Sequence, residues 1–129
     1  MKQTIKDGTD KIISDTSGTE SSEPGDLTIN GRLRLSQQAN TASASTISLA
    51  NNATKITGTT DINKISTTNW QQGSVVVLVF EDILDLKHTT GGSGQLFLKA
   101  GTDLTTATDM VVMFVMINAG VGANTWYQI

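Results

Sequence analysis

Two uninterrupted apolar runs dominate the pattern of the chain, and both read as β-strands. In residues 74–80, SVVVLVF, Val75, Val77 and Val79 project to one side while Val76, Leu78 and Phe80 project to the other. Residues 110–117 repeat the property with MVVMFVMI. A strand that is apolar on both faces belongs at the centre of a sheet or between layers. A third stretch, residues 47–65 (ISLANNATKITGTTDINKI), is sparser. Ile47 and Leu49 share a parity, as do Ile62 and Lys64; Ile56 stands alone and Ile65 closes the segment. Strands of this kind offer one or two apolar side chains each, so they need neighbours from this chain or from identical copies of it.

The remaining segments continue the alternation. Leu27, Ile29, Leu33 and Leu35 share one parity around Asn30–Gly31, which predicts a small hairpin with Arg32 and Arg34 on its wetter face. Residues 36–45 predict a loop or a weak small-residue segment. Leu84, Leu86 and His88 share a face, TTGGSG at 89–94 is a flexible turn, and Leu96 and Leu98 frame Phe97. A polar excursion around Leu104 and a glycine-rich loop, NAGVGAN, precede the final TWYQI. No amphipathic helix emerges. The pattern predicts an all-β fold: a compact multistranded sandwich, a barrel-like body or a short β-helical module over residues 27–129. Before it, residues 1–26 form a polar extended N-terminal arm whose sizeable apolar anchors are Ile5, Ile12 and Ile13. Pro24 and Gly25 mark its end.

Composition narrows the setting. At 129 residues the length fits one domain. A formal net charge of -3 gives no basic balance toward nucleic acid, and Lys55 and Lys64 are isolated positives. No cysteine is present, which removes disulfides and thiolate chemistry; if the protein works outside a cell, oligomerisation is the remaining way to reinforce a small body. The first residues lack the apolar core of a signal peptide, and no run approaches the roughly 20 apolar residues that span a bilayer.

Candidate chemistry is thin. His88 is the sole histidine; with Asp82 or Asp85 it matches no metal-ligand spacing, and with Asp85 and Ser93 it is too generic for a nucleophilic triad. Glu81 and Asp82 are adjacent, so in a strand they face opposite sides and read as a strand-ending charge pair. The glycine clusters at 91–94 and 120–122 lack a phosphate-loop pattern. Trp70, Trp126 and Tyr127 are the recognition or interface candidates, since aromatic rings supply large contact areas. Packing within the fold or contact between subunits is the favoured role for them, with sugar binding at an exposed tip as the other.

The joint order of several elements resembles the C-terminal β-modules of bacteriophage tail-fibre and related virion proteins. The elements are Thr57–Gly58–Thr59–Thr60 with Ile62 and Ile65, Trp70 and Gly73 before the 75–80 strand, and Leu84–Asp85–Leu86–Lys87–His88. Leu96–Phe97–Leu98, Ala100–Gly101, Thr105–Thr106, Asn124 and Trp126–Tyr127 complete the order, so the resemblance covers most of residues 46–129. It implies a virion structural protein, intimately trimeric; the lack of a catalytic constellation adds the expectation of no enzymatic activity and no cofactor. A chain this short, with no repetitive shaft, points to a capsid decoration or cement protein on the exterior of the head. Its partners would be itself as a homotrimer and the major capsid protein, with no nucleic acid and no membrane insertion. In that reading Ile5, Ile12 and Ile13 touch the capsid, and Ile56, Ile62, Ile65, Val77 and Phe80 form the trimer core. The alternative is a tail-fibre or receptor-binding module that recognises a host surface glycan or protein.

Overall fold

A computed structural model describes residues 32–118 and 123–129, together with the backbone of two short strands, β1 (Ile5–Lys6) and β2 (Ile12–Ile13). The chain divides into two units, Met1–Leu33 and Arg34–Ile129. In the first, β1 and β2 pair antiparallel, with Ile5 opposite Ile13. The rest of the expected arm, and the Leu27–Gly31 half of the expected hairpin, lie outside the described residues. The half that is described forms no hairpin strand. Residues 32–36 carry no regular structure, and Leu33 is 73% exposed.

The second unit is all-β, with no helix among the described residues. Its strands are β3 (Thr41–Ala42), β4 (Thr46–Ile47), β5 (Ala53–Thr57), β6 (Lys64–Ile65) and β7 (Val75–Phe80). There follow β8 (Asp85–Leu86), β9 (Leu96–Phe97), β10 (Leu104–Thr105), β11 (Val111–Asn118) and β12 (Asn124–Gln128). Six of them form one sheet in the order β3-β5-β7-β11-β12-β9, which curls into a half-barrel. The pairs β4–β6 and β8–β10 stand apart as two-stranded sheets. Both long apolar runs are central, β7 between β5 and β11, and β11 between β7 and β12.

The sparse 47–65 stretch supplies parallel pairings. β3 runs parallel to β5, β4 to β6, and β5 to β7, while Ile62 bridges Leu86 in the same sense. Parallel neighbours need a crossover between them. Here each crossover is the next short strand, so the chain coils and stacks Ile47 beside Ile65 and Ile56 beside Phe80. Strict alternation would turn Ile65 away from the side that Ile62 faces. A bulge resolves this: the amides of Asn63 and Lys64 both donate to the Ser45 carbonyl, at 2.9 and 3.1 Å. Two residues then oppose one, the parity resets, and both Ile62 and Ile65 face inward.

The core gathers one face of almost every strand. Val76, Leu78 and Phe80 of β7 meet Val112, Phe114 and Met116 of β11, with Trp126 of β12 beside them. Leu84, Leu86, Leu96 and Leu98 close the other end. Among the described residues, Thr54, Thr106 and Thr125 are the buried polar side chains, and each hydroxyl is tied to backbone. The Thr106 hydroxyl accepts the Leu84 amide at 3.0 Å, and that of Thr125 accepts the Gly92 amide at 3.0 Å.

Gly94 holds two parts of the chain together. Its amide donates to Asn124 O and its carbonyl accepts from the Ile65 amide, both at 2.8 Å. At φ +73° a Cβ here would sit 2.6 Å from the Ile65 carbonyl oxygen, against backbone that cannot swing aside. Gly101 has nearly the same φ, +72°, with nothing within 4 Å of a Cβ. A left-handed φ costs a non-glycine residue roughly 1–2 kcal/mol. Gly101→Ala should lose about that much in urea denaturation, and Gly94→Ala distinctly more. Equal losses would show that the Ile65 carbonyl is no obstacle.

Candidate functional site

The polar side chains that offered chemistry in the sequence are held in structural work. Lys87 stands at the centre of three carboxylates. Its ammonium lies 3.0 Å from Asp85 Oδ2, 3.2 Å from Asp61 Oδ2 and 3.2 Å from Asp103 Oδ2. Asp85 and Lys87 share a strand face two residues apart. Asp61 also accepts the Asp85 amide, and Asp103 accepts the His88 amide at 2.8 Å. The Thr105 hydroxyl, and after it the Lys87 ammonium, hold Asp85 below the ordinary carboxylate range. Asp103 is lowered by the His88 amide first and by Lys87 second. Lys87 is raised in turn, mainly by its bond to Asp85, then by Asp103 and Asp61. The cluster pins β8, the segment before β10 and the loop at Asp61 to one another.

His88 is similarly engaged. Its Nδ1 accepts the Leu98 amide at 3.0 Å, and its ring meets Phe97 edge-on at 5.1 Å. Glu81 and Asp82 lie in the bend just past β7 and take different partners: Glu81 lies 3.6 Å from Lys55, whereas Asp82 accepts the Gly58 amide at 2.9 Å. Among the described residues, no group of three or more His, Asp and Glu side chains is arranged to hold a metal ion.

The aromatic candidates separate into inside and outside. Trp126, a candidate for exposed recognition or interface contact, is fully enclosed. Its indole N–H donates to the Ile65 carbonyl at 3.1 Å, and Trp70 packs edge-to-face on it at 5.7 Å. Trp70 is half-buried against the core and donates to the Leu49 carbonyl. Tyr127 points the other way from Trp126, as a neighbour in a strand does, and stacks on Phe97 at 4.9 Å. His88, Phe97 and Tyr127 form a row of half-buried rings across the β9 edge, with the Phe97 ring engaged by its neighbours on both sides.

Ile56, Ile62, Ile65 and Phe80, expected in contacts between copies, have no exposed surface within one chain. The core of their own chain encloses them, leaving them nothing to present to a neighbour. Val77 differs, because it lies on the outer face of the six-stranded sheet. The register sets Val79 beside Val111, Val77 beside Met113, and Val75 beside Val115. Val115 in turn lies beside Tyr127. This face is apolar and open: Val111 is 57% exposed, Ile117 44% and Met113 38%. The sequence pattern of two-faced strands signalled that both sides of β7 and β11 carry apolar residues. The second covering layer that such strands call for is not supplied by the described residues of the second unit. At the side of this face, Gln37, Ala53, Thr54, Lys55, Val77 and Val79 line an open hollow of about 310 Å³. Ile5, Ile12 and Ile13 belong to the first unit, as strand residues whose side chains lie outside the described part.

Comparison with protein-family models, curated proteins and solved structures finds no match for this chain.

The ionic cluster has a definite pH signature. Folded-state values below the ordinary range make Asp85 and Asp103 stabilising above that range, and the contribution is lost as pH falls through their lowered values. The raised Lys87 contributes below its ordinary value and loses its contribution only as pH rises through the folded one. Lys87→Met should therefore melt below wild type at neutral pH, with three carboxylates left facing one another. The gap should narrow as they protonate in the acid range, and also with added salt. A gap unchanged from neutral to acid pH would show that the cluster does not contribute.

Proposed function

We propose that the protein is a structural component of a bacteriophage virion, a homotrimeric decoration or cement protein on the exterior of the capsid. The observation that carries this reading is the use of the polar groups in the body. His88, Asp61, Asp82 and Asp103 each accept a backbone amide, and Lys87 ties three aspartates together. A body whose reactive side chains are spent on fixing loops is suited to bearing load. The resemblance of residues 46–129 to virion β-modules, and the division of the chain at Leu33/Arg34, support the same reading.

The action would be mechanical. Residues 1–26 would bridge neighbouring capsid subunits through Ile5, Ile12 and Ile13, while the all-β body projects outward and joins two further copies. Reconstitution on capsids that lack the protein tests this. The full chain should occupy the capsid surface and raise its resistance to internal pressure. Deleting residues 1–26 should abolish occupancy while the body keeps its β-sheet circular dichroism. Equal occupancy and equal resistance without the arm would defeat the proposal. Binding to host envelopes instead of capsids would transfer the protein to a tail-fibre or receptor-binding role.

A further inference from the structure

The six-stranded sheet uses one face for the core and leaves the other open. We infer that this outer face, centred on Val77, Val111 and Met113, is the surface through which copies of the chain pack on one another. The inference rests on the oligomeric body proposed above and names the face that such a body would bury.

Three observations point to a second copy as the occupant. The first is the kind of layer that is needed. β7 and β11 are apolar on both sides, yet only Val76, Leu78, Phe80 and their partners are fully covered; Val75, Val77 and Val79 are half-buried, and Val111, Met113 and Ile117 are exposed. Sheets of this kind are completed by another layer, and two sheets pack face to face about 10 Å apart. A copy of this chain brings a sheet of matching breadth and composition.

The second observation is charge. Strands β7, β11 and β12 contain no Asp, Glu, Lys or Arg. On its margin Lys55 and Glu81 lie 3.6 Å apart, and the exposed Asp109 stands two residues before Val111. A chain with net charge -3 can therefore bring these strands of two copies together with no like charges opposed within them, Asp109 staying at the rim. A face with no charge offers little with which to select an unlike partner, since complementary charge is what suppresses wrong ones.

The third observation is size. The open part spans β7 and β11, two strands about 4.8 Å apart and roughly 20 Å long, because on β12 Thr125 is buried against Gly92 and Tyr127 is stacked on Phe97; it is about 200 Å² in plan, and more as accessible surface. That matches the apolar centre of one standard interface, which buries about 800 Å² per partner and is ringed by a polar rim. It is too small for two separate interfaces of that class. In a trimer the three outer faces would therefore converge on a common axis. The 310 Å³ hollow beside Val77 and Val79 gives a neighbour's side chain a seat at the edge of this contact.

Sedimentation velocity of the full chain over a concentration series tests the inference. Wild type should sediment as an oligomer. Met113→Lys should sediment as a monomer with unchanged β-sheet circular dichroism, because Met113 is already 38% exposed in the single chain. Val111→Lys, at a position 57% exposed, gives the same reading should the Met113 variant fail to fold. Ile83→Lys, at a position 61% exposed but outside β7, β11 and β12, should leave the oligomer intact. A monomeric wild type at every concentration would overturn the inference, and so would a folded Met113 or Val111 variant that keeps its oligomer. An assembled wild type that ignores capsids, and whose Met113 variant falls apart, upholds this interface and removes the decoration reading. A monomer that still occupies capsids overturns this interface and leaves a decoration protein that is not a homotrimer.

Discussion

The hydrogen bond from the Trp126 indole to the Ile65 carbonyl joins residues 61 positions apart, and the body is arranged around it. An indole N–H sealed in a core without a partner costs on the order of 1–3 kcal/mol, so the carbonyl must be in place. Several devices put it there. The bulge at Asn63–Lys64 turns Ile65 inward. β4 then holds it from one side, through Ile47, and Gly94 receives its amide from the other. Gly94 must be glycine because the same carbonyl that accepts the indole occupies the space of its Cβ. A sparse ladder, a glycine turn and a late tryptophan thus meet at one peptide group.

Polar residues complete the design at places where strands are too short to hold themselves. β8 and β10 are two residues each, and two backbone-paired residues do little alone. Thr105 bonded to Asp85, Thr106 bonded to Leu84 and the Lys87 cluster add side-chain ties across the same pair. The side chains with chemical potential are therefore part of how a body rich in short strands keeps its shape.

Much of this was legible in the pattern of residues, and the exceptions have physical causes. The all-β class, the central position of β7 and β11, and the inward Leu84–Leu86 and Leu96–Leu98 pairs follow from period two. Parity failed at Ile62–Ile65 because a bulge is a backbone event with no side-chain signature. It failed at 32–36 because a turn dipeptide and alternating leucines do not by themselves secure strand pairing. Packing was the favoured role for Trp126, but the pattern did not separate packing within the fold from contact between subunits, and an indole near other aromatics fits either. Asp85–Leu86–Lys87 did carry a readable signal, opposite charges on one strand face. Its partners Asp61 and Asp103 were not readable, because the fold brings them from segments far apart in the chain. The open face was half visible: two-faced strands announce a second layer without saying which molecule supplies it.

The strand order has a consequence for how the protein is made. β9 finds its place in the large sheet only against β12, and β12 only against β11. A ribosome delivers β9 well before β12, so β9 leaves the tunnel with no sheet to join. The carbonyl awaiting Trp126 emerges 61 residues ahead of the indole that will satisfy it. Contacts this distant along the chain close late and slow the search for the native state. Synthesis must therefore pass Trp126 before the body can seal, and a chain that stalls earlier would display its unfinished sheet to chaperones and proteases.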